Sequence, residues 1–291
     1  MNFAIIAHPD KYLVAPPLKS VLEWCRRNHV GIYGKQELVE IPEISSIKAF
    51  TVVKSNQEAA NRADMIIAIG GDGTMLHAAQ LTVGMKKPVL GINCGKLGFM
   101  ASIQQEKIDE SLDAIKRGDY KMDERFMLEA SINGGETFYA LNEFLFTKKD
   151  TTSLVTITAS YDDQFINRYW SDGLIVASPT GSTAYNLSSG GPIVMPGTPV
   201  MLLTPINPHT LTTRPLVLPS DKKLTIKVEE SIEHILFSND GRVMQVDQDE
   251  LEVVIKRSVH NVQLVQLKGQ NYFDTLRTKL MWGMDSRKRA H

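Results

Sequence analysis

Apolar positions in the first hundred-odd residues alternate between two rhythms. Short apolar runs at Asn2–Ala7, Met65–Ile69 and Pro88–Asn93 predict buried strands. Between and after them, apolar residues return at helical spacing. Leu18, Val21, Leu22 and Cys25 mark a helix over residues 17–28, residues 55–62 and 75–80 have helical character, and Ile108, Leu112 and Ile115 share one face of a helix over 104–116. Strands alternating with helices predict an α/β domain with a Rossmann-like parallel sheet.

From Phe126 the pattern changes to short β-branched or alternating segments divided by turn residues. Leu128–Ile132 precedes Asn133-Gly134-Gly135, Leu154–Tyr161 precedes Asp162-Asp163, and Thr137–Thr147, Leu224–Val228, Leu251–Lys256 and Val262–Leu267 continue the series, the last two around His260-Asn261. This predicts an all-β domain, a β-sandwich or closed sheet. The Pro-rich stretch 192–219 reads as non-helical and running at the surface or along a sheet edge. The final residues return to helix, with Phe273, Leu276, Leu280 and Met281 on one face, a stripe expected to pack back on the N-terminal domain. The expected division is 1–125 for the α/β domain, 126–268 for the all-β domain and 269–291 for the helical tail.

Composition narrows the partners. The 291 residues carry 32 Lys plus Arg against 33 Asp plus Glu, a net charge of −1, so no global field draws the chain to nucleic acid or to an anionic membrane. Two cysteines, Cys25 and Cys94, are too few for a disulfide framework or a structural zinc site. The N terminus lacks the pattern of a signal peptide and no run is long enough to span a membrane, so the expected setting is the cytoplasm. Arg287-Lys288-Arg289 reads as a solvated basic terminus.

Two segments carry chemistry. Gly70-Gly71-Asp72-Gly73-Thr74 falls where the Met65–Ile69 strand gives way to helix. In open α/β sheets ligands bind beyond the carboxyl ends of strands, and glycines let the backbone approach a phosphate. The turn therefore reads as a phosphate site with a carboxylate placed in it. The alternative is a plain strand-to-helix turn capped by Asp72 or Thr74. The second segment runs from Trp170 to Pro192, with Asp172 before an apolar strand and a tail of small, hydroxylated and glycine residues around Tyr185. Hydroxyls and unhindered N–H groups suit phosphate oxygens and ribose hydroxyls, which marks a nucleotide-binding loop.

Gly70–Thr74, the Asn142-Glu143 pair, Asp172-Gly173 with Pro179–Tyr185, and Pro208–Leu211 with Arg214-Pro215 together resemble the bacterial NAD kinases, in order and in spacing, over nearly the whole chain. The glycine turn alone is shared with diacylglycerol and sphingosine kinases and, more loosely, with phosphofructokinases. The segment from Asp172 is the selective one. The resemblance implies transfer of a phosphoryl group from ATP to the 2′-hydroxyl of the adenosine ribose of NAD, with a divalent cation, Mg2+, accompanying ATP. It also implies a homodimer or homotetramer in which a site borrows residues from a neighbouring copy.

Carried over residue by residue, Asp72 corresponds to the proton acceptor and Gly73 to a dinucleotide contact. Asn142 and Glu143 correspond to the pair at the NAD ribose and pyrophosphate, and Asp172 to an acid at the nicotinamide or adenine end. Thr183, Ala184, Tyr185, Asn186, Leu187 and Ser188 correspond to the loop around the adenosine. His77, one helical turn past Gly73, either reaches the same phosphates or is a helix histidine without a ligand. Trp170 stands where many relatives have arginine and so stacks, contacts through its backbone or packs. Arg242 replaces a glutamine of some relatives and serves a phosphate or sits in solvent. Asn207 replaces a frequent cysteine with no functional consequence read from it. His209 reads as structural. The competing readings are a lipid kinase sharing the turn and a non-catalytic dinucleotide sensor, and an assay with ATP and NAD separates all three.

Overall fold

A computed structural model describes residues 1–45, 47, 50–95, 98–101, 103–149, 153–229, 235–244 and 251–281. The chain divides into two compact units, one of Met1–Glu124 with everything from Val262 onward, the other of Arg125–Asn261. The basic triplet at 287–289 lies outside the described residues.

In the first unit the elements are β1 (Asn2–Ala7), α1 (Lys11–Asn28), β2 (Gly31–Lys35), α2 (Gln36–Val39), β3 (Phe50–Val53), α3 (Asn56–Arg62), β4 (Met65–Ile69), α4 (Asp72–Leu81), β5 (Pro88–Ile92) and α5 (Ile108–Arg117). The strands pair in parallel in the order β3-β2-β1-β4-β5, and Gln263 and Leu264 of a later strand add in parallel beyond β5. The chain builds outward from β1 to β3 and then crosses back to lay β4 on the other side of β1. That reversal opens a crevice beyond the carboxyl ends of β1 and β4, the place where open α/β sheets bind ligands. The core below it gathers Phe3, Ile5, Leu18, Trp24 and Ile67, and the Trp24 indole donates to Asp113 at 2.8 Å, tying α1 to α5.

The chain continues as β6 (Tyr120–Ile132), β7 (Thr137–Ala140), β8 (Glu143–Lys148), β9 (Val155–Tyr161), β10 (Gln164–Ser171), β11 (Gly173–Ala177), the one-turn α6 (Tyr185–Ser188), β12 (Val200–Ile206), β13 (Leu216–Pro219), β14 (Leu224–Val228), β15 (Ile235–Asn239), β16 (Arg242–Met244), β17 (Leu251–Leu267) and α7 (Tyr272–Leu280). In the second unit one antiparallel sheet runs β13-β12-β11-β8-β15-β16. A second antiparallel layer runs β10-β9-β14-β17, with β6 beside β17 and β7. Phe144, Phe146 and Phe237 from the first layer and Ile157, Ile226 and Val253 from the second fill one core, which makes the unit a β-sandwich.

Several expectations change. Helix α1 begins six residues before the expected Pro17, because the Asp10 carboxylate caps it by accepting the N–H groups of Tyr12 and Leu13; Pro16 and Pro17 then fall inside the helix. The expected strand 137–147 is broken after Ala140. The turn expected at His260-Asn261 is absent, and one strand runs through Leu251–Leu267. Its residues from Val262 belong to the first unit, not to the β domain with which residues 262–268 were grouped, since they pair with β5. The Pro-rich stretch is not all surface: β12 inside it is buried from Met201 to Ile206 and paired on both sides at Leu202 and Leu203, while Pro205 lies past the last residue with a β13 neighbour. Helix α7 groups with the first unit and buries Leu276, whereas Phe273 and Met281 of its stripe stay exposed.

Phe237 is 2% exposed, with ring centroids 5.7 Å from Phe144 and 5.0 Å from Phe146. Phe237→Ala should cost about 3–5 kcal/mol in urea denaturation. Phe165→Ala, at a position 66% exposed, should change stability by no more than ~0.5 kcal/mol.

Candidate functional site

Strand β4 is buried at all five positions, so it is a rigid base for the turn that follows it. Gly70 donates its N–H to the Ile92 carbonyl at 2.8 Å, and a Cβ there would stand 2.2 Å from the Thr74 hydroxyl, so only glycine fits. At Gly71 and Gly73 an added Cβ would meet nothing within 4 Å. These two positions open on a cavity of about 530 Å³ whose wall includes His8, His77, Asn93 and Cys94. Gly71 precedes α4 without any side-chain cap, which leaves the positive end of the helix facing that wall.

The Asp72 carboxylate is held by two backbone N–H groups. Its Oδ2 accepts the Phe99 N–H at 2.9 Å and its Oδ1 the Met100 N–H at 3.0 Å. The absence of a side chain at Gly98 permits this closure, since a Cβ there would lie 2.2 Å from Oδ1. The acid of the glycine turn thus fastens the segment after β5 onto α4. His77 does line the cavity, and its Nε2 lies 3.0 Å from the Asn56 amide nitrogen, which donates to it. His8, Asn93 and Cys94 went unnoticed in the sequence as cavity residues; their only signal there is position, at the carboxyl ends of β1 and β5.

In the second unit the break between β7 and β8 has an identifiable cause. The Asp240 carboxylate accepts the N–H groups of Leu141 (2.8 Å), Asn142 (2.8 Å) and Glu143 (3.2 Å), and the Asp240 N–H donates to the Glu143 carbonyl at 3.1 Å. The loop after β11 then settles on the same residues. Ser178 donates its N–H to the Asn142 carbonyl at 2.8 Å and its hydroxyl to the Leu141 carbonyl, while Gly181 approaches so closely that a Cβ would stand 2.2 Å from the Asn142 oxygen. The Asn142-Glu143 pair and residues 178–181, which lead into the Thr183–Ser188 segment, are therefore brought together. Burial, with the Asp240 charge adding to it, pushes the Glu143 carboxyl up to about 8. Its Oε2 is enclosed and has no hydrogen-bond partner among the described residues. Asp240, whose φ of 46° lies in the left-handed region, was legible only as part of a turn sequence.

The rest of that loop divides by exposure. Thr183 ends a 3-10 turn, Ala184 and Leu187 are half-buried, and Tyr185 and Ser188 are exposed. Asn186 is fully buried: its amide donates to the Ser182 and Pro192 carbonyls and accepts from the Thr204 hydroxyl at 2.6 Å. Its side chain shapes the loop from inside. Arg242 is exposed at the start of β16, in register with Asn239.

Asp172 does not join this cluster. It precedes β11, and five extended residues, Gly173–Ala177, separate it from Ser178, about 20 Å along the strand. There the Lys148 ammonium at 2.6 Å and then the Asn207 amide at 3.0 Å hold its carboxyl below the usual carboxylate range. Asn207, read in the sequence as without consequence, is thus a direct partner of Asp172. Trp170 packs against the His209 ring at a centroid distance of 4.4 Å, and its carbonyl accepts the His209 N–H. The segment read as one loop forms two clusters at opposite ends of a buried strand.

Comparisons with known proteins follow the same two parts. Residues 3–120 match the ATP-NAD kinase N-terminal domain and residues 141–267 the ATP-NAD kinase C-terminal domain. NAD kinase of Cytophaga hutchinsonii is 35% identical over 99% of this chain and 100% of its own length, and that of Flavobacterium johnsoniae is 36% identical over the same shares. Among solved structures, yeast NADH kinase complexed with NADH has a TM-score of 0.89 at 23% identity, covering 98% of this chain and 88% of that one. An NAD kinase from Archaeoglobus fulgidus in complex with ATP has a TM-score of 0.74 at 24% identity, covering 97% and 99%. These two show the fold, and the full-length relatives carry the descent: the chain belongs to the ATP-NAD kinase family.

Proposed function

We propose that this chain, as an NAD kinase, transfers the γ-phosphoryl group of ATP to the 2′-hydroxyl of the adenosine ribose of NAD, giving NADP and ADP. The observation that carries the reading is the glycine turn at the sheet's switch point, open at Gly71 and Gly73 to a cavity at the uncapped end of α4. Backbone N–H groups and the helix dipole suit phosphate there, and charge on a transferring phosphoryl is stabilised mainly by such fixed donors.

As the ribose oxygen bonds to the γ-phosphorus and the bond to the ADP oxygen breaks, the hydroxyl proton must leave. Asp72 takes it in this reading. Each of its oxygens accepts one N–H in the structure and keeps a further lone pair, so proton transfer need not dismantle the clasp on Phe99 and Met100. A divalent cation, Mg2+, enters with the triphosphate and neutralises charge on it.

Asn142 and Glu143 hold the NAD ribose in the proposal, a task suited to a carboxyl that keeps its proton at neutral pH and so both donates and accepts. Gly73 and His77 contact the dinucleotide, and Thr183, Ala184, Tyr185, Leu187 and Ser188 flank the adenosine, with Arg242 beside it. Trp170 and Asp172 serve the nicotinamide end of a site in another copy, which is supported by the strand that keeps them away from Glu143 in their own unit. The enzyme is a homo-oligomer of the cytoplasm on this reading, and no helix among the described residues is long and apolar enough to cross a membrane.

Given ATP, Mg2+ and NAD, the purified chain should form NADP, and diacylglycerol should not be phosphorylated. Asp72→Asn should lower kcat at least ~100-fold with the KM for NAD little changed; near-normal turnover would remove Asp72 from the role of base. Glu143 sets a pH dependence. The folded carboxyl keeps its proton to about pH 8 while the unfolded one releases it near 4.5, so the folded state holds more protons in that window and stability falls as pH rises through it. Glu143→Gln should flatten the curve of melting temperature against pH, matching the native chain near pH 4 and exceeding it above pH 8. Asp72→Asn and Asp172→Ala chains, each impaired alone, should recover activity when unfolded and reassembled together. No recovery by mixed oligomers would place Asp172 outside a shared site.

A further inference from the structure

Among polar groups that the proposed mechanism leaves unused, the side-chain amide of Asn93 is the least accounted for. Asn93 directly follows β5, is 6% exposed and lines the same cavity as Gly71 and Gly73. Its backbone N–H donates to the Ile103 carbonyl at 2.8 Å, and its Oδ1 accepts the Gly95 N–H at 2.9 Å. With the acceptor so engaged, the orientation of the amide is fixed, and Nδ2 must be the other atom. Nδ2 is enclosed and has no hydrogen-bond partner among the described residues. Buried amide donors are nearly always paired, so an unpaired one on a residue that lines a cavity marks a partner that arrives from outside.

The cavity defines the chemistry of that partner. It lies at the N terminus of the ten-residue α4, where Gly71 supplies no capping side chain, and His8 and His77 are among the residues that line it. Helix N-termini favour anions, and an amide N–H gains most when its acceptor is ionised. We propose that Asn93 is a phosphate-binding residue of this enzyme, its Nδ2 donating to a non-bridging oxygen of a nucleotide polyphosphate seated over the start of α4. The inference rests on the kinase reading for the identity of the nucleotide, which is either the donor triphosphate or the pyrophosphate of the dinucleotide. The wall shifts slightly to bring the oxygen within reach, as contacts at such sites tighten when the ligand binds.

Asn93→Asp keeps the acceptor for Gly95 and replaces the donor with a second oxygen. Calorimetric titration of the folded variant with ATP, inorganic tripolyphosphate and NAD, each alone, should show affinity for at least one of them reduced tenfold or more. Loss confined to ATP and tripolyphosphate assigns the donor triphosphate, and loss confined to NAD assigns the pyrophosphate. Unchanged affinity for all three would overturn the proposal. Should Asn93→Asp fail to fold, Asn93→Ala decides by the same criterion, with roughly tenfold weakening expected. Because binding is read without turnover, the native chain's NADP assay stands apart: native activity with unaltered variant binding sinks the Asn93 assignment alone, and native inactivity with altered binding sinks only the kinase reading.

Discussion

The carboxylate of Asp240 gathers three consecutive backbone N–H groups, those of Leu141, Asn142 and Glu143, and much of the second unit's site follows from that interaction. Three donors pointing at one group cannot also sit in a regular ladder, so the strand breaks between β7 and β8. The break turns the Asn142 carbonyl outward to Ser178 and lets Gly181 come to rest on it. It also seats Glu143 beside a negative charge in a buried place, which is why that carboxyl holds its proton to about pH 8. One side chain, supplied by a turn about a hundred residues later, thus sets the local geometry, the seat of the following loop and the ionisation of its neighbour.

Asp72 does for the first unit what Asp240 does for the second. It binds the N–H groups of Phe99 and Met100, and in doing so draws the segment after β5 to the start of α4. The turn bearing Asp72 stands at the switch point because the chain crosses from β3 back to β4 beside β1. In both units a carboxylate satisfies backbone donors that would otherwise be unpaired, so removal of either disturbs the local structure.

Much of this was legible in local pattern. The buried strands β1, β4 and β5, the face of α5 and the change of texture near Phe126 are each written in a few neighbouring residues, as is the glycine turn. Strands β2, β3 and β10 were not, since their residues alternate weakly and gain their state from neighbours already in the sheet. Helix α1 shows local signals in conflict: the prolines suggest a start at Pro17, but the Asp10 cap sets it earlier.

By itself the sequence determined the two-part architecture, the phosphate-suited turn and the family, because each depends on residue types at short, fixed spacings. Only the tertiary structure decided that Asp72 clasps Phe99 and Met100, that Asn186 faces inward and that Asn93, a residue of the cavity lining, keeps an unpaired donor. It alone separated Asp172 from Glu143. Antiparallel pairing of β8 with β11 puts the two acids at opposite ends of the pair, and a side chain's partners across a fold are fixed by register and packing, which no short stretch of chain encodes.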